Sequence, residues 1–168
     1  MKFVETSLPG VMVVEPTVFG DARGFFFEVH HAEKYAAAGI DRAFVQSNHS
    51  RSSKGTLRGL HIQVEHAQGK LVRVIRGTIW DVAVDVRKGS SHFGRSVAVE
   101  LSEENQKLLW VPEGFAHGFV VTSESADVLY SCTDLYHPEH ERVLAWNDPE
   151  LGIPWPVKDP MLSARDTK

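Results

Sequence analysis

The segment LRGLHIQVEHAQGKLVRVIRG, residues 57–77, sets two histidines, a glutamate and a lysine around two strand-like runs. Further on, PEGFAHGF (residues 112–119) adds His117 in a turn-like setting. Two chemistries are open to these residues. His61, Glu65 and His117 are donors of the kind that hold a transition metal. Alternatively, His61 is a base with no metal beside it, since an imidazole of ordinary pKa about 6.5 can accept a C–H proton at neutral pH. Lys70 lies at the entry of the next strand, where a hairpin brings it near His61, and Tyr130 lies on a late strand. A base, a cation and a phenol around a cavity suit proton abstraction beside a ketone: the imidazole takes the proton, the ammonium holds the enolate oxygen, and the phenol returns a proton from the opposite face. Each residue also has a plain structural role. A strand histidine is more often a hydrogen-bonded structural residue, a hairpin lysine is commonly solvated, and a barrel tyrosine can turn its hydroxyl outward.

The elements that must position these groups are almost all strands. The runs VMVVE, GFFFEVH, AFVQSNHS, TLRGLHIQ, KLVRVIRG, TIWDVAVDVR, SVAVELS, LLWVP, HGFVVTS and DVLYSCTD are short, rich in β-branched and aromatic residues, and divided by Gly, Pro, Asp and Ser. One segment, HHAEKYAAAGI, reads as helix with Gly39 as its stop. Ten short strands with one helix predict an all-β sandwich or closed barrel, jelly rolls included. In TIWDVAVDVR, Trp80, Val82, Val84 and Val86 share one face, and Asp81, Asp85 and Arg87 the other. Small barrels line their cavity with every second residue. Lys70, Val72, Val74 and Arg76 share one parity; so do Val128, Tyr130 and Cys132, and His117, Phe119 and Val121. Arg58 and His61 have opposite parity in a regular strand, and Gly59 between them is the place for a bulge that turns both to one side.

The bulk numbers set bounds. A chain of 168 residues with 42% hydrophobic and 24% charged residues is expected to form one soluble domain. Its net charge of −4 argues against nucleic acid or a polybasic membrane role, while leaving room for a phosphorylated small ligand. Cys132 is alone, which excludes a disulfide framework and a cysteine-rich zinc site. The N-terminal MKFVETSLPGVMVVEP has no apolar run long enough for a signal peptide or a membrane span, so a cytoplasmic location is expected. Residues 146–168, Pro-rich, are expected to form an extended strap held by Trp146 and Trp155.

The histidine spacing resembles that of cupins, which carry His-x-His with a later Glu and then Pro-x-Gly followed by His. PEGFAH keeps the second motif. In the first, the partner position of His61 is Gln63, a neutral amide and a poor ligand for a transition metal. A cupin shape with the metal lost is therefore expected, with Glu65 and His66 left as a solvated turn.

A longer resemblance covers residues 14–166. RGFFFE, FVQSNHSRSSKGTLRGLHIQ, AQGKLVRVIRG, WDVAVDVRKGSSHFG, LWVPEGFAHGF, LYSCTD and WNDPELGIPWP are similar, in order and spacing, to the dTDP-4-dehydrorhamnose 3,5-epimerase family, deoxysugar epimerases with an RmlC-like cupin fold. The resemblance implies one cupin-type jelly-roll domain over 1–168, with one or two short helices and N-terminal strands exchanged in a homodimer. It implies no metal or other cofactor. The implied reaction converts dTDP-4-dehydro-6-deoxy-D-glucose to dTDP-4-dehydro-L-rhamnose, on the path to cell-envelope rhamnose.

Residue by residue, His61 in RGLH matches the family's base, Tyr130 its acid, Asp166 in LSARD the carboxylate that orients the base, and Lys70 in QGK the lysine at the keto oxygen. Arg23, Arg58 and Arg165 match cationic contacts to the diphosphate, which the planar arginine fork suits. His117, Phe26, Glu28, Gln46, Ser47 and Asn48 match positions in the nucleotide and sugar pocket. Tyr136 matches a ring that stacks on thymine, with Glu141 nearby. Two departures adjoin the site and are expected to alter the sugar pocket: Ile62 stands where the family usually has Tyr or Phe, and Leu135 where a second Tyr is common. Related enzymes that invert only C3 or only C5 share these motifs, so a mono-epimerase is the first alternative, ahead of a metal-dependent cupin and a non-catalytic nucleotide-sugar binding module.

Overall fold

The computed structural model describes residues 1–167; Lys168 lies outside them. Two antiparallel sheets face each other. The first contains, in spatial order, β1 (Lys2–Glu5), β2 (Met12–Glu15), β10 (Leu108–Val111), β7 (Lys70–Arg76), β12 (Ser125–Cys132) and β5 (Gln46–Ser53). The second is β13 (Glu141–Val143), β6 (Leu57–Gln63), β11 (Phe115–Val121), β8 (Thr78–Asp85) and β9 (Ser96–Ser102). A separate hairpin of β3 (Phe19–Asp21) and β4 (Gly24–Phe26) stands apart from both. This is the all-β, jelly-roll type of architecture that the strand pattern predicts.

The central strands are apolar on both faces because each sheet is covered twice. Between the sheets lie Leu8, Val11, Val72, Val74, Ile79, Leu101, Leu109, Phe115, Phe119, Val121 and Val128. The outer face of the first sheet is covered by the single α-helix of the described residues, α1 (Ala32–Ala37). Six residues are too few to hold a helix by propensity. Packing does it: Tyr35 is fully buried against Leu71, Leu108 and Trp110, meets Phe3 edge-on at 5.0 Å, and donates its hydroxyl to the Val29 carbonyl at 2.8 Å. Gly39, at φ +89°, ends the helix in the left-handed region as the sequence predicts.

The outer face of the second sheet is covered by the C-terminal strap. Leu144, Leu151, Ile153 and Trp155 pack on Leu60, Val82, Val84 and Ala116. Trp155 Nε1 donates to the Trp146 carbonyl at 2.7 Å, and Met161 exchanges backbone hydrogen bonds with Gly55 and Leu57. In β8 the apolar face therefore looks outward to the strap, while Asp81, Ala83 and Asp85 look into the molecule. Asp85 is held by Arg87 and Ser90. Asp81 is described below.

The differences from the sequence reading are local. The run GFFFEVH is strand only over its first three residues. β1, β3, β13 and a 3₁₀ turn, Pro138–His140, were not among the predicted elements; each is four residues or fewer, too short for a periodic signal.

Candidate active site

At one end of the sandwich the sheets part around a cavity of about 540 Å³. The second sheet contributes Arg58 and His61 from β6, His117 and Phe119 from β11 and Glu141 from β13; the first contributes Gln46 and Asn48 from β5, Lys70 from β7 and Tyr130 from β12. Tyr136 and the strap residues Ser163, Arg165 and Asp166 close the rim. Eleven residues named from sequence are thus brought together: His61, Lys70, Tyr130, Asp166, Arg58, His117, Gln46, Asn48, Tyr136, Glu141 and Arg165.

Arg58 and His61 share the cavity because β6 carries a bulge. His117 pairs with His61 and Phe119 with Arg58, so Gly59 and Leu60 both face the single residue Gly118. Gly59 has φ +120°, and a Cβ there would lie 2.6 Å from the His117 carbonyl oxygen, so only glycine fits.

His61 Nε2 donates to Asp166 Oδ1 at 2.5 Å, and Asp166 Oδ2 accepts from Ser163 Oγ at 2.8 Å. An ionised carboxylate is acceptor-only, so Nε2 carries the proton and Nδ1 the lone pair of the neutral ring. Burial pushes the imidazole below its ordinary 6.5, with the Asp166 carboxylate pulling the other way. Beside it on β11, His117 Nε2 donates to Asp81 Oδ1 at 2.6 Å, both residues being buried. Across the cavity Lys70 is buried, and burial lowers the pKa of its ammonium; Cys132, Glu141 and Asp81 oppose that. Burial raises the Tyr130 phenol above its ordinary 10, so at neutral pH it keeps its proton. At the rim, Arg165 meets Glu141 and the Tyr136 hydroxyl, and the Tyr136 amide donates to Gln46 Oε1 at 2.9 Å. Arg58 Nε is tied to Ser52 Oγ at 2.9 Å.

Four of the named residues are elsewhere. Ser47 sits on the opposite face of β5 from Gln46 and Asn48, bonded to Ser131 at 2.8 Å. Arg23 and Phe26 are on the projecting hairpin, and Glu28 follows it. Arg23 is paired with Asp21 at 2.5 Å and Glu28 with Lys34 at 2.7 Å. The two departures also lie off the cavity: Ile62 packs outward beneath the strap, and Leu135 is an exposed loop residue.

The metal reading fails on donors. Of the three donors, His61 and His117 line the cavity, but Glu65 does not and points to His140 at 3.6 Å. Gln63, at the cupin ligand position, donates Nε2 to the His66 and Leu135 carbonyls and accepts from the His137 amide at Oε1. Its polar atoms are committed to backbone, so this donor set does not fit a metal. Asp81 is the residue that sequence reasoning missed; it stood on the recognised aspartate face of β8, but its partner is on another strand.

The family model for dTDP-4-dehydrorhamnose 3,5-epimerase matches residues 5–168. The chain belongs to that family. It is 55% identical over 168 residues to the dTDP-4-dehydrorhamnose 3,5-epimerase of Pseudomonas aeruginosa, covering 99% of this chain and 93% of that protein. Among solved structures it is similar to the dTDP-6-deoxy-D-glucose-3,5-epimerase RmlC of Legionella pneumophila in complex with dTDP-4-keto-L-rhamnose. That match has a TM-score of 0.96 and 49% identity, and covers 99% of this chain and 89% of that one. A 3'-monoepimerase from Streptomyces bikiniensis, ChmJ, in complex with dTDP-quinovose matches with a TM-score of 0.92 and 34% identity, over 98% and 84% of the two chains. The fold is therefore shared by family members of different regiochemistry.

Proposed function

We propose that the protein inverts C3 and C5 of dTDP-4-dehydro-6-deoxy-D-glucose to give dTDP-4-dehydro-L-rhamnose, by proton transfer alone. Both carbons flank the C4 ketone, so each C–H is acidified by the same carbonyl. His61, its Nε2–H held by Asp166, takes the proton at Nδ1. The electron pair moves to O4, where Lys70 stabilises the enolate. Tyr130, from the opposite sheet, delivers the new proton, chiefly at C5. The observation that carries this reading is the His61–Asp166 pair facing Lys70 and Tyr130 across one cavity. Arg58 and Arg165 are assigned to the diphosphate, Tyr136 to the base, and Gln46, Asn48, His117 and Glu141 to the remaining contacts.

The decisive experiment is NMR of the substrate with enzyme in D₂O. Two solvent deuterons, one at each of C3 and C5, are expected. Incorporation at one carbon only assigns a mono-epimerase, and none at all overturns the reading. Tyr130→Phe is expected to spare exchange more than net inversion, because the base half of the reaction is untouched.

The pH profile follows from the base. His61 must be neutral in the free enzyme, and its pKa lies below 6.5. Values of kcat/KM are therefore expected to be level just above about pH 6.5, to fall as pH drops through the lowered pKa, and to fall again at alkaline pH where Lys70, its own pKa lowered by burial, gives up its proton. Asp166→Asn removes the carboxylate that favours the imidazolium, so its acid limb shifts further to low pH. An acid limb centred above about pH 7 contradicts His61 as the base.

Arg23, Phe26 and Glu28 are proposed to serve the pocket of a second copy. Phe19, Phe25 and Phe26 are 63%, 62% and 72% exposed on the projecting hairpin, a patch that a monomer does not ordinarily leave in water. Sedimentation is expected to give a homodimer, and Phe25→Asp with Phe26→Asp a monomer with reduced kcat/KM. A wild-type monomer rejects the exchange. One domain and a cytoplasmic site of action complete the proposal; no helix among the described residues is long and apolar enough to cross a membrane.

A further inference from the structure

Outside the cavity, the loop after β6 and the loop after β12 meet in a cluster of imidazoles and carboxylates that the epimerase chemistry leaves unused. Ligand atoms of His66, Asp134 and His137 all lie within 4.8 Å of one another. His66 Nδ1 is 3.6 Å from Asp134 Oδ2, and the His66 and His137 rings stack with centroids 4.2 Å apart. A third ring, His140, stands 5.6 Å from His66 and 6.1 Å from His137.

The backbone beneath this cluster is fixed in advance. Gln63, 4% exposed, bonds to the His66 carbonyl at 2.5 Å, the Leu135 carbonyl at 2.9 Å and the His137 amide at 2.8 Å. Gln68 Nε2 donates to the Asp134 carbonyl at 2.8 Å, and Gly69 and Thr133 exchange hydrogen bonds between the same loops. Clamped loops lose little entropy when an ion joins them. Metal–ligand bonds of about 2.0–2.2 Å place tetrahedral donors roughly 3.4 Å apart. The donor atoms of His66, Asp134 and His137, within 4.8 Å of one another, stand somewhat wider than that spacing, and the stacked rings must part to close it. Imidazole and carboxylate without thiolate favour zinc, nickel, cobalt or copper over magnesium and calcium.

We propose that His66, Asp134 and His137, with His140 as fourth ligand, bind a divalent transition-metal ion of the zinc class, joining the two loops beside the cavity. The ion takes no part in the reaction. It fastens the loop that carries Tyr136, between Asp134 and His137, at the cavity rim, so its effect falls on the rigidity of the nucleotide end.

The test uses the full-length, chelator-treated protein and ZnCl₂ in isothermal titration, with CoCl₂ absorption spectra as a report on coordination. One ion per chain is expected, with tetrahedral cobalt bands. At a hundredfold excess of zinc over Kd, the thermal midpoint is expected to rise by about 5–10 °C. His66 has φ +52°, a conformation asparagine tolerates, so His66→Asn removes a ligand without straining the turn. His66→Asn and His137→Ala are each expected to weaken binding by about 10–100-fold or more, with the metal-free unfolding midpoint and deuterium exchange unchanged. Both variants keep His61 and His117. Zinc binding that survives undiminished in both belongs to another site and overturns the proposal, as does binding well below one ion per chain.

Discussion

Replacing His61 by asparagine is expected to stop deuterium incorporation at both C3 and C5 and to lower kcat by about 10²–10⁴-fold. Asparagine has no lone pair basic enough to take a carbon-bound proton. Asp166, which is 4% exposed, keeps the hydrogen bond from Ser163 Oγ at 2.8 Å, so its carboxylate is not left without a donor. The variant should thus keep its fold, checked by near-ultraviolet circular dichroism and an unfolding midpoint close to the parent's. Exchange retained at one carbon would show that another base serves it. His117, oriented by Asp81 on the neighbouring strand, is the group in place to do so.

The second large effect is expected at Lys70. Lys70→Met keeps the length of the stem and removes the charge, and kcat should fall by about 10²–10³-fold with KM little changed, because the interaction is strongest after the proton has left. Stability should move the other way. Burial is the largest influence on the Lys70 ammonium and disfavours its charged form. A lysine whose folded pKa is lowered carries a cost at every pH below its ordinary 10.5, so methionine should unfold at an equal or higher temperature. A variant that loses stability and activity together would recast Lys70 as a structural residue.

Much of this site was legible because strands alternate. Parity alone puts Lys70 with Val72 and Val74, Tyr130 with Val128, and His117 with Phe119, and all of these face the interior. Gly59 marked the place where alternation breaks in β6, and the bulge is there. Ser47 shows the opposite error: its parity is the reverse of Gln46 and Asn48, yet resemblance grouped the three. Asp81 was read onto the polar face of β8, but pairing with a histidine 36 residues away in the chain is a cross-strand fact that no local pattern contains. Ile62 looked like a pocket residue from its neighbour in sequence; one step along a strand is the other side of the sheet. Arg23, Phe26 and Glu28 were placed by resemblance alone, and the surface they are proposed to meet belongs to a second copy. His66 does sit in an exposed turn, as expected; what no local pattern contains is the ring of His137, 71 residues further on, that stacks on it.

The base and the acid come from opposing sheets, and that has a bearing on which sugars enter. Facing sheets stand about 10 Å apart, so the slot works as a calliper set to one ring. The setting is held by Val72, Val74, Phe119 and Val128, which are packed between the same strands that carry Lys70, His117 and Tyr130. Trimming side chains in the slot would lengthen or deepen it, but would leave the jaws at the same gauge.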